Sequence, residues 1–208
     1  MSAIINTTNR ETELWDELVA RKFASRLKDL PVKPNHITLV SLLLTLVSGM
    51  LFATGNTVQA SIAALLFMIV RFLDHLDGEL ARIKGCESRL GHYLDWFVDT
   101  FSYVYLFISL AIGFRSRMET SLLVIIAGMA VIACLVNTVI GLRKEKTPDD
   151  QSRQSFPVIG GFGIDDSMYL IGPVTWIGYL YPFFILSAIG SVIYTLSVTI
   201  KLFFIAEN

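Results

Sequence analysis

Four aspartates stand in two pairs within residues 73–99, LDHLDGELARIKGCESRLGHYLDWFVD. Asp74 and Asp77 are three apart and Asp95 and Asp99 four apart, so on helices each pair shares a face. Gly78 follows Asp74 by four residues and Gly91 precedes Asp95 by four, leaving a glycine one turn from each pair where a ligand can approach the backbone. Each pair is attached to a long apolar run, and the linker IKGCESRL is short. The two runs are therefore expected as antiparallel neighbours, with four carboxylates facing one another across a small gap. Such a cluster repels itself, and a divalent cation removes the repulsion. Hard oxygen donors suit Mg²⁺, Mn²⁺ or Ca²⁺, and two such ions could clamp a pyrophosphate during in-line displacement. The plainer alternative pairs the aspartates with Arg71, Arg82 and Arg89 or leaves them in water. It accounts for one aspartate more readily than for four at these spacings. Ionisable groups in membrane segments are functional candidates by default.

The elements that must hold these residues are apolar. The chain has 208 residues, 53% of them hydrophobic, and a mean hydropathy of +0.59. Soluble domains run nearer about 45–50% apolar. A net charge of −1 gives no reason to expect nucleic acid. Cys86 and Cys134 lie far apart, with Cys134 inside an apolar run, so neither a disulfide framework nor a CxxC metal site is expected. The polar start MSAIINTTNRETELWDEL does not read as a cleaved signal peptide, and the sequon at Asn6 is of a kind that arises often by chance.

Six apolar segments are expected to cross a bilayer, which takes about 20 residues each. They cover about 35–53, 60–74 (continuing as helix toward Arg82), 91–114, 120–142, 167–178 and 182–205. The fifth is the shortest and is interrupted by Gly172-Pro173, so a re-entrant segment is the alternative there. Fourteen Lys and Arg fall before the first span, after the second and fourth, and at the C-terminal end; Arg115 and Arg117 alone fall on the opposite side. The positive-inside rule then puts both termini, and the aspartates with them, in the cytoplasm. Ahead of the first span, Leu14, Trp15, Leu18, Val19, Phe23 and Leu27 recur at helical spacing among Arg21, Lys22, Arg26 and Lys28. That suits a helix lying in the headgroup region, the alternative being a soluble helix packed on the ends of the bundle. The expected fold is an all-α integral membrane protein: residues 1–34 an interfacial amphipathic segment, residues 35–208 a six-helix transmembrane domain.

Written out, the acidic stretch is Asp74-x-x-Asp77-Gly78-x-x-Ala81-Arg82, eight residues, then Gly91-x-x-x-Asp95-x-x-x-Asp99. It resembles the full signature of the CDP-alcohol phosphotransferase family, every fixed position present and the spacing unbroken. The six spans, the interfacial segment and PNHIT at the first span are similar to that family as well. The resemblance implies transfer of a phosphate-containing group from a CDP-linked donor to an alcohol, with release of CMP. It implies that Asp74, Asp77 and Asp95 ligate Mg²⁺ or Mn²⁺ around the donor pyrophosphate, two ions per site, with Asp99 sharing one of them. It makes Asp99 the general base for the acceptor hydroxyl, chemistry a carboxylate can perform. Gly78, Ala81 and Gly91 would admit the cytidine nucleotide, Arg82 would supply charge near the phosphates, and Asn35 and Thr38 would line the nucleotide site. A homodimer with a site in each protomer is implied too. The compact chain resembles the branches that pass a phosphatidyl group from CDP-diacylglycerol to a small polar alcohol or its phosphate, in a bacterial inner membrane rather than the endoplasmic reticulum. The reverse assignment, a CDP-linked polar alcohol donating to a lipid hydroxyl, stays open.

Arg143, Lys144 and Arg153 follow the fourth span on the aspartate side. They serve either the positive-inside bias and lipid contact or a phosphate on the acceptor. His75, His92 and His36 read as boundary residues, with His92 the better placed, three residues before Asp95. Glu79 and Glu87 read as solvated or paired with Lys84 and Arg89, and Gly160-Gly161-x-Gly163 as a turn. A cation- or proton-coupled transporter is the rival of another class. It fits less well, because the aspartates gather at one end with no ionisable partners deeper in spans four to six.

Overall fold

The computed structural model describes residues 15–144 and 165–206, and every element among them is helical. In order these are α1 (Trp15–Leu27), α2 (Pro34–Ala53), α3 (Thr57–Lys84), α4 (Arg89–Gly113) and α5 (Thr120–Lys144). A 3-10 segment (Asp165–Leu170), α6 (Ile171–Trp176) and α7 (Leu180–Ala206) follow. The helix boundaries have local causes. Pro34 opens α2 where its missing N–H costs nothing. The Asn56 side chain accepts from the amides of Val58 and Gln59 to start α3, and Gly85 ends it at φ +58, a conformation glycine adopts without strain. Ser88 then caps α4 through the amide of Gly91 at 3.0 Å. One sharp turn therefore carries the chain from α3 back into α4, and the two run antiparallel, though not as the close neighbours expected, each being packed mainly on α2.

Helices α2, α3, α4, α5 and α7 are long and apolar enough to cross a membrane. The expected fifth span is not a helix of that kind. Its described part is the 3-10 segment followed by six residues of α6, which rises only about 9 Å against a hydrocarbon core of about 30 Å. Gly172-Pro173 sits inside α6, and Gly178 follows it at φ +83. Even so, α6 ends far from the aspartates: Thr175, Gly178 and Leu180 border a small cavity with Gly55, Thr57, Gly113 and Phe114, at the end of the bundle opposite the acidic stretch. Chain entry into α7 is thus at that opposite end, and α7 runs back beside α5.

Packing is tight where residues are small. A Cβ on Gly55 would lie 2.6 Å from the Gly113 carbonyl oxygen, so the α2–α3 turn seats directly on the end of α4. Polar side chains tie helices together inside: Thr45 to Ser102 at 3.0 Å, Ser48 to the Ala63 carbonyl at 2.9 Å, Thr100 to Thr138 at 2.8 Å and Asn137 to Thr195 at 2.9 Å. Small and hydroxyl residues at helix contacts are what apolar surroundings favour. The main core joins Phe52, Phe67, Phe107 and Phe184 with Ala63, Ala64 and Ala130. Outward-facing Leu39, Leu43, Met50, Val124, Ile132, Leu186 and Ile193 are exposed, a lipid-facing surface.

Helix α1 packs on the acidic end of α3, the packing that the alternative of a helix on the ends of the bundle expects. Ala20 and Ala24 are fully buried in a second core with Ile37, Leu76 and Leu80, while Leu18, Val19 and Phe23 remain 38–48% exposed. The small residues lie deepest against α3, with Leu27 packed beside them and Phe23 set edge-on to Phe72 at 5.6 Å.

Candidate active site

Helix α3 carries Asp74 and Asp77, and α4 carries Asp95 and Asp99. The two helices, each packed mainly on α2, bring all four within electrostatic reach, Asp95 lying in the field of Asp74, Asp77 and Asp99. Asp77 is 3% exposed and accepts a hydrogen bond of 2.5 Å from the Thr38 hydroxyl on α2. Asp95 Oδ1 is enclosed and has no hydrogen-bond partner among the described residues. Asp74 and Asp99 share a cation: the Arg71 guanidinium lies 3.3 Å from Asp74 Oδ2 and also bonds Asp99. Arg71 is itself buried, its guanidinium 5.0 Å from the Tyr103 ring centre.

The plainer reading of the aspartates is thus met for two of them by Arg71, one turn before Asp74, and unmet for Asp77 and Asp95. Arg82 pairs with Glu79 instead of an aspartate. Among the described residues no three His, Cys, Asp or Glu side chains are gathered in metal-holding geometry. The donor set nonetheless fits a hard divalent ion: four carboxylates converge, and Asp95 offers a buried oxygen without a partner. Such an ion would take over from Arg71 on Asp74 and Asp99.

The two glycines differ, Gly78 bordering open space and Gly91 facing the side chains of Ser88 and Asn35. At Gly78 a Cβ would meet nothing within 4 Å, so the space beside Gly78 is open. At Gly91 a Cβ would come 3.2 Å from Asn35 Oδ1, which places Asn35 at the start of α4. Thr38 reaches the site through Asp77, and Ala81 is half-buried on α3. Arg143 is exposed at the end of α5. Arg153, the Lys144 side chain and Gly160-Gly161-x-Gly163 lie outside the described residues.

Two residues differ from the sequence reading. Glu79 is not solvated; it is 4% exposed and held between Arg21 of α1, at 3.2 Å, and Arg82. His75 is not a free boundary residue, since its Nε2 meets the fully buried carboxylate of Asp16 at 2.9 Å. Arg21 and Asp16 come from α1, more than fifty residues upstream, so no local spacing could have shown them. Arg71 was visible only as a cation one turn before Asp74; its link to Asp99 crosses between helices.

The profile of the CDP-alcohol phosphatidyltransferases matches residues 32–203. The chain belongs to this family. As a CDP-alcohol phosphatidyltransferase with several long apolar helices it is a multi-pass integral membrane protein. It is 31% identical over 110 residues to an archaetidylinositol phosphate synthase of Pyrococcus horikoshii, 53% of this chain and 57% of that one. It is 34% identical over 86 residues to a CDP-diacylglycerol–serine O-phosphatidyltransferase of Mycobacterium leprae, 41% of this chain and 28% of that one. These matches span about half of the first relative's length and less of the second's. Among solved structures, the phosphatidylinositol phosphate synthase of Mycobacterium tuberculosis with manganese and citrate superposes with TM-score 0.67, covering 88% of both chains at 20% identity. Its form with CDP-DAG bound gives 0.61, over 88% of this chain and 89% of that one. At that identity the likeness shows the fold alone.

Proposed function

We propose that this protein transfers a phosphatidyl group from CDP-diacylglycerol to a small polar alcohol or its phosphate and releases CMP. One observation carries the reading: the complete signature folds into a single acidic site, with an unpartnered buried oxygen on Asp95 and open space over Gly78. The bound lipid nucleotide in a relative of the same fold supports the choice of donor.

Asp74, Asp77 and Asp95 would hold Mg²⁺ or Mn²⁺, with Asp99 contributing to one of two ions. When bound, the metal supplies charge stabilisation for the diphosphate and the departing CMP. The chain does the remainder. Asp99, the most exposed of the ion-paired aspartates at 35%, takes the proton from the acceptor hydroxyl. The acceptor oxygen forms a bond to the diacylglycerol-linked phosphorus, and the bond to the CMP oxygen breaks, its electron pair leaving with CMP. Arg82 meets the phosphates from the turn after Gly78 and Ala81, while Asn35 and Gly91 border the nucleotide. Thr38, committed to Asp77, orients that carboxylate rather than the cytidine. Arg143, with Lys144 and Arg153, would receive a phosphate on the acceptor.

The same reading puts six crossings in the membrane, the fifth completed by α6, with both termini and the site in the cytoplasm of a bacterial cell. Helix α1 lies at the lipid surface, its exposed Leu18, Val19 and Phe23 toward the acyl chains. The enzyme acts as a homodimer.

The test is the reverse reaction. Purified protein in lipid would receive CMP with Mn²⁺ or Mg²⁺, and mass spectrometry would identify the new cytidine compound. CDP-diacylglycerol is the expected product. A water-soluble CDP-alcohol would overturn the donor assignment, and no cytidine product at all would overturn the reading.

A further inference from the structure

Glu79 is a carboxylate outside the signature's fixed positions, buried to 4% exposure in α3 and held by two arginines. The two cations are unlike. Arg21 reaches it from α1, with Nε donating to Oε2 at 3.2 Å. Arg82 belongs to α3 itself, one turn on, with a side chain 48% exposed. Standing three residues after Glu79 and four after Gly78, Arg82 shares a face with both. Beside Gly78 the space is open. Arg82 thus has two destinations within reach, Glu79 or an anion over Gly78.

A buried carboxylate stripped of its cation is strongly penalised. Were Arg82 the sole partner, any phosphate that attracted it would have to overcome that penalty. A second arginine removes it, because Glu79 stays compensated after Arg82 departs. We propose that Arg21 and Glu79 form a counter-charge relay that releases Arg82 to the phosphates of an incoming cytidine diphosphate compound, which makes α1 part of the nucleotide site. The inference rests on the role given to Arg82 under the proposed function. Arg21 acts through Arg82 and is a positioning residue. Its removal need not undock α1, because Ala20 and Ala24 remain buried against α3 and Asp16 still holds His75.

The experiment measures CDP binding, with Mn²⁺ present, by calorimetry on the full chain in lipid nanodiscs, alongside the kinetics of CMP release. Arg21→Met is expected to weaken CDP binding about ten-fold, the loss of one charge-assisted hydrogen bond's compensation, while kcat at saturating donor stays within about two-fold. Arg21→Lys should restore most of the loss. Glu79→Gln should bind CDP as the parent does, and Arg21→Met with Glu79→Gln together should return to the parent's affinity, since a neutral Glu79 position no longer retains Arg82. A double variant as weak as Arg21→Met, or weaker, would overturn the relay in favour of a simple structural tie. Unchanged binding in Arg21→Met would overturn it too. If Arg21→Met does not fold, Glu79→Gln alone decides: parental affinity supports the relay and weakened affinity ends it. Parent protein that binds no cytidine nucleotide would sink the proposed function itself, a result distinct from a parent that binds and an Arg21→Met variant that binds equally well.

Discussion

The neighbours of the four aspartates set what a substitution should do: Arg71 is shared by Asp74 and Asp99, and Thr38 serves Asp77. Asp99 is partly open and paired with Arg71, and the proposed function makes it the general base. Asp99→Asn should lower the rate of CMP release by about 10²–10⁴-fold, the usual worth of a positioned acid or base, with CDP affinity changed only a few-fold. Parental turnover in that variant would remove Asp99 from the chemistry. Asp77 is buried and depends on the Thr38 hydroxyl. Thr38→Val keeps the shape and deletes the donor, so the Mn²⁺ concentration for half-maximal activity should rise about 10–100-fold, as for other groups that orient metal ligands. A shift in nucleotide KM with no change in metal requirement would instead make Thr38 a cytidine contact.

At the scale of elements, the helices hold each other through close approaches rather than bulk. The α2–α3 turn is an example: Gly55 has φ +73, and a Cβ there would meet the Gly113 carbonyl oxygen at 2.6 Å. Gly55→Ala should lower the thermal unfolding midpoint in detergent, at a cost of about 1–3 kcal/mol from the backbone conformation alone, without moving the KM of a site at the other end. Gly128→Ala on α5, where the Cβ would enter open space, serves as the contrast and should leave the midpoint unchanged or slightly higher. Equal losses in both would mean the turn is not a close contact. Helix α1 shows the reverse economy. Its alanines, too small to stand out in a hydrophobic pattern, are buried against α3 with Leu27 beside them and Phe23 on Phe72, while Leu18 and Val19 face outward. The stripe that marks it as amphipathic is therefore divided between the contact with α3 and the free side.

Across the whole molecule, Cys86 reports sidedness without engineering. It is exposed in the turn between α3 and α4, at the acidic end. A membrane-impermeant maleimide should label it only after cells are opened, whereas a cysteine replacing Arg117, at the other end, should react in intact cells. The opposite pattern would invert the orientation and put the site outside. The fifth crossing belongs to this scale too. Chain length and hydropathy mark residues 167–178 as a weak span, and the fold resolves it into a 3-10 segment and a six-residue helix whose end meets the α2–α3 and α4 termini.

What the sequence determined is what repeats locally. Spacing of three and four put the aspartates on shared faces, and the runs of apolar residues marked six spans, five of which are long helices. Those are properties of one helix turn, readable without knowing what lies opposite. Tertiary structure decided the partners. Arg71 bridging Asp74 to Asp99, Thr38 on Asp77, and the ties of Asp16 to His75 and Arg21 to Glu79 all join residues of different helices. Which charged groups a buried carboxylate meets depends on helix rotation and crossing, and these follow from how small side chains let the helices approach.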